Sequence, residues 1–256
     1  MLELAQVEEA LHRLFIEAEG TGLRKEDRKK AAEITALLAE IERVLGARRP
    51  GPVRIVDAAA GKAYIGLLAV EFIFSPRGQK SHVTLIEREP ERAAACRQAI
   101  AKVRGTGATF AVVEAEVGDR KAWPEAPDLV AALHACGAAS DEVLDQSVAC
   151  RARQLLLVPC CTSRAVAAAT LAQTRAEALG LPRQAQIRRR FVQAIVDAER
   201  TLRLEAAGYE TTVVSFVPPT VTPHHLLWRA RRVAEPRRMA EAARRLERLR
   251  GCDGAP

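Results

Sequence analysis

Residues 53–66 read VRIVDAAAGKAYIG, and this stretch decides the fold. A short apolar run ends in Asp57, small residues lead to Gly61, and an apolar segment then runs from Tyr64 to Phe74. This order predicts a buried strand, a tight turn and a helix. A turn of small residues between a parallel strand and a helix lets backbone N–H groups and the positive helix end approach a polar ligand. The stretch therefore predicts a ligand site of the kind that doubly wound folds use for nucleotides.

The rest of the chain alternates between short apolar runs and segments with helical spacing. Seven runs predict strands, at Val53–Val56, Val83–Ile86, Thr109–Val113, Leu129–Leu133, Leu155–Val158, Glu210–Val217 and Leu226–Ala230. This pattern predicts an α/β fold with a doubly wound, mostly parallel, Rossmann-like sheet and an antiparallel edge. We expect three parts: an N-terminal helical extension over 1–49, a main domain over 50–234, and a basic C-terminal helix and tail over 235–256.

Composition restricts the class of protein. The 256 residues, 48% of them hydrophobic, suffice for one α/β domain with a sizeable core. No stretch is long and apolar enough for a membrane helix, and the first ten residues contain acids rather than a basic leader, so we expect a cytoplasmic protein. Six scattered cysteines, two of them adjacent, predict reduced thiols rather than a disulfide framework. The formal charge of +7 indicates a polyanionic partner or a GC-rich genome.

An acid follows the second predicted strand. Glu87 stands about thirty residues after Asp57, where doubly wound folds hold two ribose hydroxyls, because a carboxylate accepts two hydrogen bonds. The alternative is an acid that only caps the next helix. After the third strand, Glu114, Glu116 or Asp119 is a candidate for an adenine amino group, and spacing does not choose among them.

Reactive side chains follow the fourth and fifth predicted strands. HACGAASD occupies residues 134–141 and PCCT residues 159–162. In order, DAAAGKAYIG, LIERE, ALHACGAASDEVL, LLLVPCCT, AERTLRLEAAGYE and TPHHLLWRA resemble a family of class I S-adenosylmethionine-dependent methyltransferases. Its members carry a Leu-His-x-Cys-Gly-x-x-Thr/Ser-Asp motif and a Cys-Cys motif, and they include a tRNA acceptor-stem 2′-O-methyltransferase. The resemblance covers about residues 28–233 and includes the basic stretch from Lys29 to Ile34.

The resemblance implies a methyltransferase sheet with S-adenosylmethionine as cofactor and, less directly, RNA as substrate. Ala59 and Ala63 stand where the family has its outer glycines, and alanine reaches a positive φ only at a cost. The implied cofactor contacts are Asp57, Ala58, Ala59, Gly61, Lys62, Tyr64, Glu87, Arg88, Glu116 and His134.

Four residues at the same edge of the sheet are candidates for catalysis: His134, Asp141, Cys136 and Cys160. His134 fits a base, a ring stacked near the cofactor, or a structural group, and Asp141 fits a catalytic acid or a helix cap. The cysteines, with Cys161, fit a thiolate that adds to a pyrimidine, a zinc site, or small side chains that fill a tight corner. We assign no metal, and no mechanism is assigned to His224 and His225.

Three basic clusters are candidate RNA contacts. They consist of Arg24, Lys25, Arg28, Lys29 and Lys30; of Arg188, Arg189 and Arg190; and of Arg237, Arg238, Arg244, Arg245, Arg248 and Arg250. If the clusters converge on the cofactor side of the sheet, an RNA substrate is favoured. We therefore predict methylation of RNA, with tRNA favoured, at a ribose oxygen or a base. The alternatives are methylation of a small molecule or a protein, and an RNA-binding protein that no longer uses the cofactor.

Overall fold

The computed structural model describes residues 2–17, 20–46, 50–160 and 165–251. Seven strands form one sheet: β1 Val53–Ala58, β2 Ser81–Glu87, β3 Ala108–Glu114, β4 Leu129–Ala135, β5 Gln154–Pro159, β6 Tyr209–Ser215 and β7 Leu226–Arg232. The helices are α1 Leu4–Leu11, α2 Lys25–Leu45, α3 Tyr64–Ala69, α4 Pro90–Ile100, α5 Ala139–Ala149, α6 Ala167–Ala178, α7 Ala185–Ala206 and α8 Pro236–Gly251. All seven predicted strands are present, each with bounds that differ by a few residues.

The strand order is β3-β2-β1-β4-β5-β7-β6, with β7 antiparallel to its two neighbours and the other pairs parallel. This confirms the doubly wound, mostly parallel sheet with an antiparallel edge. The direction of winding reverses between β1 and β4, and ligands bind at the carboxyl ends of the strands at such a switch point. We call this edge of the sheet the rim.

The helices cover both faces of the sheet. On one face α1, α2 and α3 share a core with residues of the central strands, and Ile34, Leu38 and Leu68 in it are almost fully buried. On the other face α5 and α7 pack on the sheet around Trp228 and Tyr209. Because α2 shares this core with α3, the N-terminal helices pack as part of the α/β layers, while the division at residue 49 stays a prediction.

Two predicted helices contain a wider turn. The predicted first helix is α1 followed by a π-helical turn at His12–Ile16, and α3 continues into another at Val70–Phe74. The predicted helical stretch 164–208 is split into α6 and α7, with the break at Gly180 to Pro182 as expected. Within the described residues, no helix combines the length and apolarity needed to cross a membrane.

Candidate functional site

The turn after β1 keeps the shape of a glycine turn although two alanines occupy it. Ala59, Gly61 and Ala63 have φ values of 54°, 60° and 59°, all in the left-handed region. An alanine in this region is strained, and such strain persists where the surrounding structure enforces it, often at functional sites. The two alanines therefore adopt the conformation that glycine takes at low cost. Only one of them, Ala59, lines the cavity described below.

Asp57 links the end of β1 to α3 through a hydrogen bond. Its carboxylate is 2% exposed, and Oδ2 accepts a hydrogen bond from the Gly66 amide at 2.8 Å. Burial raises the pKa of Asp57 to about 7, the Gly66 bond opposes the rise, and the negative charge of Glu87 adds to it. Gly66 must be this small, because a Cβ there would lie 2.7 Å from Leu85 Cδ2. Asp57 is thus a buried link between strand and helix, and it does not line the cavity at the rim.

A cavity of about 260 Å³ opens at the rim beside the switch point. We call it the first cavity, and its lining includes Ala59, Glu87, Arg88, Glu116, His134 and Cys136. Glu87 is 4% exposed, and its two carboxylate oxygens accept from the amides of Gly61 at 2.7 Å and Glu89 at 2.9 Å. These bonds fix the carboxylate at the cavity wall, while each oxygen keeps a further lone pair.

The first cavity brings together five of the ten residues that the sequence predicted as cofactor contacts: Ala59, Glu87, Arg88, Glu116 and His134. A carboxylate at the end of β2, in a cavity at the switch point, fits a nucleoside with two ribose hydroxyls. Arg88 lies 3.6 Å from Glu116, so an ion pair spans part of the same wall. The donor set of this cavity therefore fits an adenosyl ligand.

The other five predicted contacts lie elsewhere in the structure. Asp57 is buried as described, Ala58 is fully buried, and the Gly61 amide is bonded to Glu87. Tyr64 packs edge to face on Phe15 of the N-terminal region at 4.8 Å, and burial raises the pKa of its hydroxyl to about 12. The Lys62 ammonium lies 6.0 Å from the centre of the Phe15 ring. These residues shape the turn and its packing, and none of them lines the first cavity.

His134, near the end of β4, has an unusual backbone conformation. Its φ is 64°, and the β4–β5 register shifts between Leu133 and Ala135. Its Nε2 lies 2.8 Å from Oε1 of Glu33 on α2, whose other oxygen is 2.7 Å from the Lys30 ammonium. His134 Nδ1 is buried and has no hydrogen-bond partner among the described residues. The imidazole is therefore held by α2 at one nitrogen and left free at the other.

Cys136 and Cys160 form a disulfide between the ends of β4 and β5, with Cα atoms 5.4 Å apart. The expectation of reduced thiols is wrong for this pair, because two loops that are distant in sequence end on adjacent strands. Cys96 and Cys150 are buried free thiols, as expected. Cys161 lies outside the described residues. The part of the chain that the structure describes contains no cluster of three or more His, Cys, Asp or Glu side chains suited to a metal ion.

Asp141 joins α5 to α7. Its carboxylate accepts from Arg200 Nε at 3.2 Å and from another nitrogen of the same guanidinium at 2.9 Å, and from Arg203 at 3.0 Å. Arg200 is fully buried. The N-cap of α5 is Ala138, so the capping alternative for Asp141 is wrong. Asp141 lines neither rim cavity, and its predicted catalytic role has no geometric support.

A second cavity of about 590 Å³ lies at the rim next to β5, and we call it the second cavity. Its lining includes Pro159, Cys160, Arg189, Arg190, His224 and Trp228. The rings of His134 and His224 are 6.3 Å apart, and one cysteine of the Cys136–Cys160 bridge lines each cavity. Burial and the neighbouring His134 lower the pKa of His224. The two cavities are therefore neighbours, separated by two histidines and a disulfide.

Two of the three basic clusters reach the rim. Lys30 contacts the carboxylate that holds His134, and Arg189 and Arg190 line the second cavity. The third cluster differs, because α8 begins at the opposite edge of the sheet. There Arg238 lies 3.9 Å from Glu210 near the start of β6. Lys30 of the first cluster and Arg189 and Arg190 of the second therefore lie near the rim, whereas Arg238 at the start of α8 does not, and the convergence of the clusters stays a prediction.

Sequence reasoning missed two residues that shape the site, Glu33 and Arg200. Glu33 stands four residues before the buried Leu37 and therefore lies on the apolar side of α2. A buried carboxylate needs a hydrogen-bond donor or a positive charge beside it. An acid on the apolar side of this helix could therefore have indicated such a contact from the sequence. Arg200 gave a weaker signal, since α7 carries many arginines and only the structure distinguishes the buried one.

Residues 29–167, more than half of the chain, match a family described as a methyltransferase domain. No curated protein matches the sequence. The CMeT domain of the citrinin polyketide synthase is 15% identical, with a TM-score of 0.51, over 82% of this chain and 54% of that one. This likeness concerns the fold alone.

Two other solved structures are similar at lower scores. The Podospora anserina methyltransferase PaMTH1 with bound S-adenosylhomocysteine (SAH) is 13% identical over 90% of this chain and 87% of that one, with a TM-score of 0.48. The magnesium protoporphyrin IX methyltransferase of Synechocystis PCC 6803 with bound SAH is 13% identical over 90% of this chain and 99% of that one, with a TM-score of 0.47. The family match, joined to a sheet and a first cavity of the expected kind, gives the assignment: the chain belongs to the methyltransferase domain family and is an S-adenosylmethionine-dependent methyltransferase.

Proposed function

We propose that this methyltransferase acts in the cytoplasm on RNA, with tRNA the favoured class, at a ribose oxygen or a base. The observation that carries the proposal is the second cavity, which combines two arginines, Arg189 and Arg190, with the rings of His224 and Trp228. Guanidinium groups pair with phosphate, and flat rings stack on bases that leave a helix. The volume of about 590 Å³ lies within the range of ligand pockets and suits one nucleotide.

The arrangement of the two cavities supports a division of roles. S-adenosylmethionine supplies the methyl group, and the residues that fit it are those of the first cavity, with Glu87 at its ribose. The nucleotide enters the second cavity, across the His134 and His224 pair. His134 lines the first cavity and lies 6.3 Å, ring to ring, from His224 in the second, so it can accept a proton from the atom to be methylated.

The motif resemblance supports the finer part of the proposal. HACGAASD at 134–141 and the proline and cysteines at 159–161 are the stretches shared with relatives that include a tRNA 2′-O-methyltransferase. The residues of the first stretch provide His134 and Cys136 at the first cavity, and Cys160 of the second stretch lines the second cavity. In the oxidised pair neither sulfur is a thiolate, so addition of Cys136 or Cys160 to a pyrimidine requires prior reduction.

A small-molecule substrate is the second candidate, and one observation favours it. Much of the second cavity is apolar, with Pro159, Ala194, Pro223, Leu226 and Trp228 in its lining. Predominantly apolar walls with a few polar groups are typical of sites for small organic ligands. Arg189 and Arg190 would then bind an acidic group on that molecule. A protein substrate stays a weaker alternative, because nothing in the lining indicates a peptide.

The test is methyl transfer from tritium-labelled S-adenosylmethionine to total tRNA, to other cellular RNA, and to a nucleic-acid-free extract. Label in tRNA is the expected result. In the double variant Arg189→Ala, Arg190→Ala, transfer should fall, and the salt dependence of RNA binding should weaken by about one unit of slope for each lost phosphate contact. Label in the extract and none in RNA would refute the RNA proposal.

The matched control is the double variant Arg153→Ala, Arg231→Ala. It removes the same charge at the opposite edge of the sheet, where both side chains are well exposed. If both double variants reduce RNA methylation equally, then net charge rather than the second cavity determines binding, and the assignment of that cavity fails.

A further inference from the structure

The backbone of His134 has a left-handed conformation that non-glycine residues rarely adopt, so the surrounding structure must hold it there. A non-glycine residue at φ 64° is uncommon, and here it coincides with a register shift between β4 and β5. Irregularities of this kind turn a side chain out of the strand, and they cluster at functional sites. The result is an imidazole that contacts α2 through Nε2 and belongs to a residue lining the first cavity.

The ionisation state of Glu33 determines which imidazole nitrogen carries the proton. Burial opposes ionisation of Glu33, yet the hydrogen bonds from His134 and Lys30, together with the charge of the Lys30 ammonium, outweigh burial and lower the pKa of Glu33. Glu33 is therefore a carboxylate at neutral pH, and a carboxylate only accepts hydrogen bonds. Since Nε2 lies 2.8 Å from Glu33 Oε1, Nε2 must be the protonated nitrogen.

In the neutral imidazole, the other nitrogen, Nδ1, then carries a lone pair and no hydrogen. It is buried and has no hydrogen-bond partner in the described part of the chain. A buried acceptor without a donor is costly, and such groups call for a functional explanation. Three groups lie near the ring. Glu33 accepts the hydrogen bond from Nε2, and Lys30 contacts the other carboxylate oxygen of Glu33. The ring of His224 lies 6.3 Å away, centre to centre.

We propose that Glu33 is a positioning residue, which holds His134 in the Nε2-protonated tautomer so that Nδ1 accepts the proton of the substrate atom to be methylated. This inference rests on the proposed function for the identity of the substrate, but the tautomer itself does not. A carboxylate also stabilises the imidazolium that forms, since its negative charge lies next to the new positive charge.

The proton step balances within this arrangement. The bond from hydrogen to the substrate oxygen or nitrogen breaks, and its electron pair stays on that atom, which becomes the nucleophile. A bond from the same hydrogen to Nδ1 forms from the lone pair of His134. The imidazolium keeps its Nε2–H bond to Glu33, and the extra proton later leaves Nδ1 to solvent, which restores the starting tautomer.

The first experiment reads the tautomer directly and needs no substrate. Two-bond proton–nitrogen correlations in ¹⁵N-labelled protein distinguish the two neutral imidazole tautomers, with a His134→Gln sample for assignment. Wild-type protein should show hydrogen on Nε2 and none on Nδ1. The opposite tautomer in folded wild-type protein overturns the proposal, whatever the substrate proves to be.

The second experiment separates positioning from folding. Glu33→Gln should lower kcat by about 10²-fold, the scale of lost acid–base assistance, with KM for RNA and affinity for SAH unchanged. Glu33→Asp keeps the negative charge of the carboxylate, which Glu33→Gln removes, and should recover part of kcat. The matched control is Glu40→Gln on the same helix, which contacts Arg43 and Arg229 and not His134.

The outcomes are distinct. Unchanged kcat in folded Glu33→Gln, or an equal loss in Glu40→Gln, overturns the positioning role. If Glu33→Gln does not fold, the wild-type tautomer and the Glu33→Asp variant decide. If no RNA is methylated by the wild-type protein, the RNA proposal fails, and the tautomer still decides the role of Glu33.

Discussion

Replacing Asp57 by asparagine should remove a pH dependence of the folding free energy. Burial is the main reason that the pKa of Asp57 is about 7 in the folded protein, and the charge of Glu87 contributes, whereas the ordinary value is 3.8. Between these two values the folded protein binds one proton that the unfolded chain has lost. The free energy of unfolding therefore falls as the pH rises through this window, and it changes no further above the folded pKa.

The structure sets the size of the effect. Each pKa unit corresponds to about 1.4 kcal/mol, so the difference between 3.8 and about 7 amounts to about 4 kcal/mol. Asparagine has the same shape, and its side-chain oxygen can accept the hydrogen bond from the Gly66 amide, but it carries no titratable proton. The variant should match the wild type near pH 4 and exceed its stability by up to about 4 kcal/mol near pH 8.

Urea denaturation followed by circular dichroism, repeated at several pH values from about 4 to about 8, measures the difference. Glu114→Gln is the control, because this carboxylate at the end of β3 is exposed. The reasoning is refuted if Asp57→Asn loses as much stability as the wild type between acid and neutral pH. It is also refuted if Glu114→Gln removes the same dependence.

Three further predictions concern the site. Glu87→Ala should weaken binding of SAH by roughly 1–3 kcal/mol in calorimetric titration, the range for a lost hydrogen bond to a charged group. Asp141→Ala should lower the free energy of unfolding in urea by roughly 3–5 kcal/mol, because Arg200 is fully buried and loses its main partner. Mass spectrometry after alkylation in denaturant should find Cys136 and Cys160 labelled only when a reductant has been added, since they form a disulfide.

Each of these three predictions has a control at another residue of the same protein. For Glu87, unchanged affinity excludes that residue from the cofactor site. Glu114, one of the three candidates for the adenine contact, does not line the first cavity, so Glu114→Ala should leave affinity intact. For Asp141, the comparison is Asp145→Ala, which removes an exposed partner of Arg203 and should cost much less. Equal losses would show that burial of the guanidinium is not decisive. Labelling of Cys136 and Cys160 without reductant would contradict the bridge, whereas Cys96 should be labelled in both samples.

The sheet was predictable because strand signals are local. Short, mostly apolar runs, each bounded on at least one side by proline or an acid, mark the five parallel strands, and the order of strands and helices implies the winding. The ends of strands were less predictable. His134 was expected to follow the fourth strand, yet it lies within β4, where a left-handed residue and a register shift let the strand continue to Ala135.

The location of the site at the ends of the strands was predictable from the sequence, but the side chains that line it were not. Sequence position puts Asp57 and Glu87 at the ends of neighbouring strands, but it does not tell which carboxylate points into the cavity. In the structure Glu87 faces the first cavity, while Asp57 turns to the Gly66 amide. The pairing of Cys136 with Cys160 likewise depends on the distance between two loops, which composition and spacing do not reveal.

The role of α2 links the predicted N-terminal extension to the chemistry. Glu33 comes from this helix and reaches His134 across the rim, and the core residues of α2 pack with those of α3. The region that matches the methyltransferase family begins at residue 29, one turn before Glu33, so it includes the helix and not only the sheet. A fragment that starts at residue 50 would keep every strand, but it would lose the carboxylate that sets the tautomer of His134. The helix that looks like an appendage in the sequence is therefore part of the site that we propose.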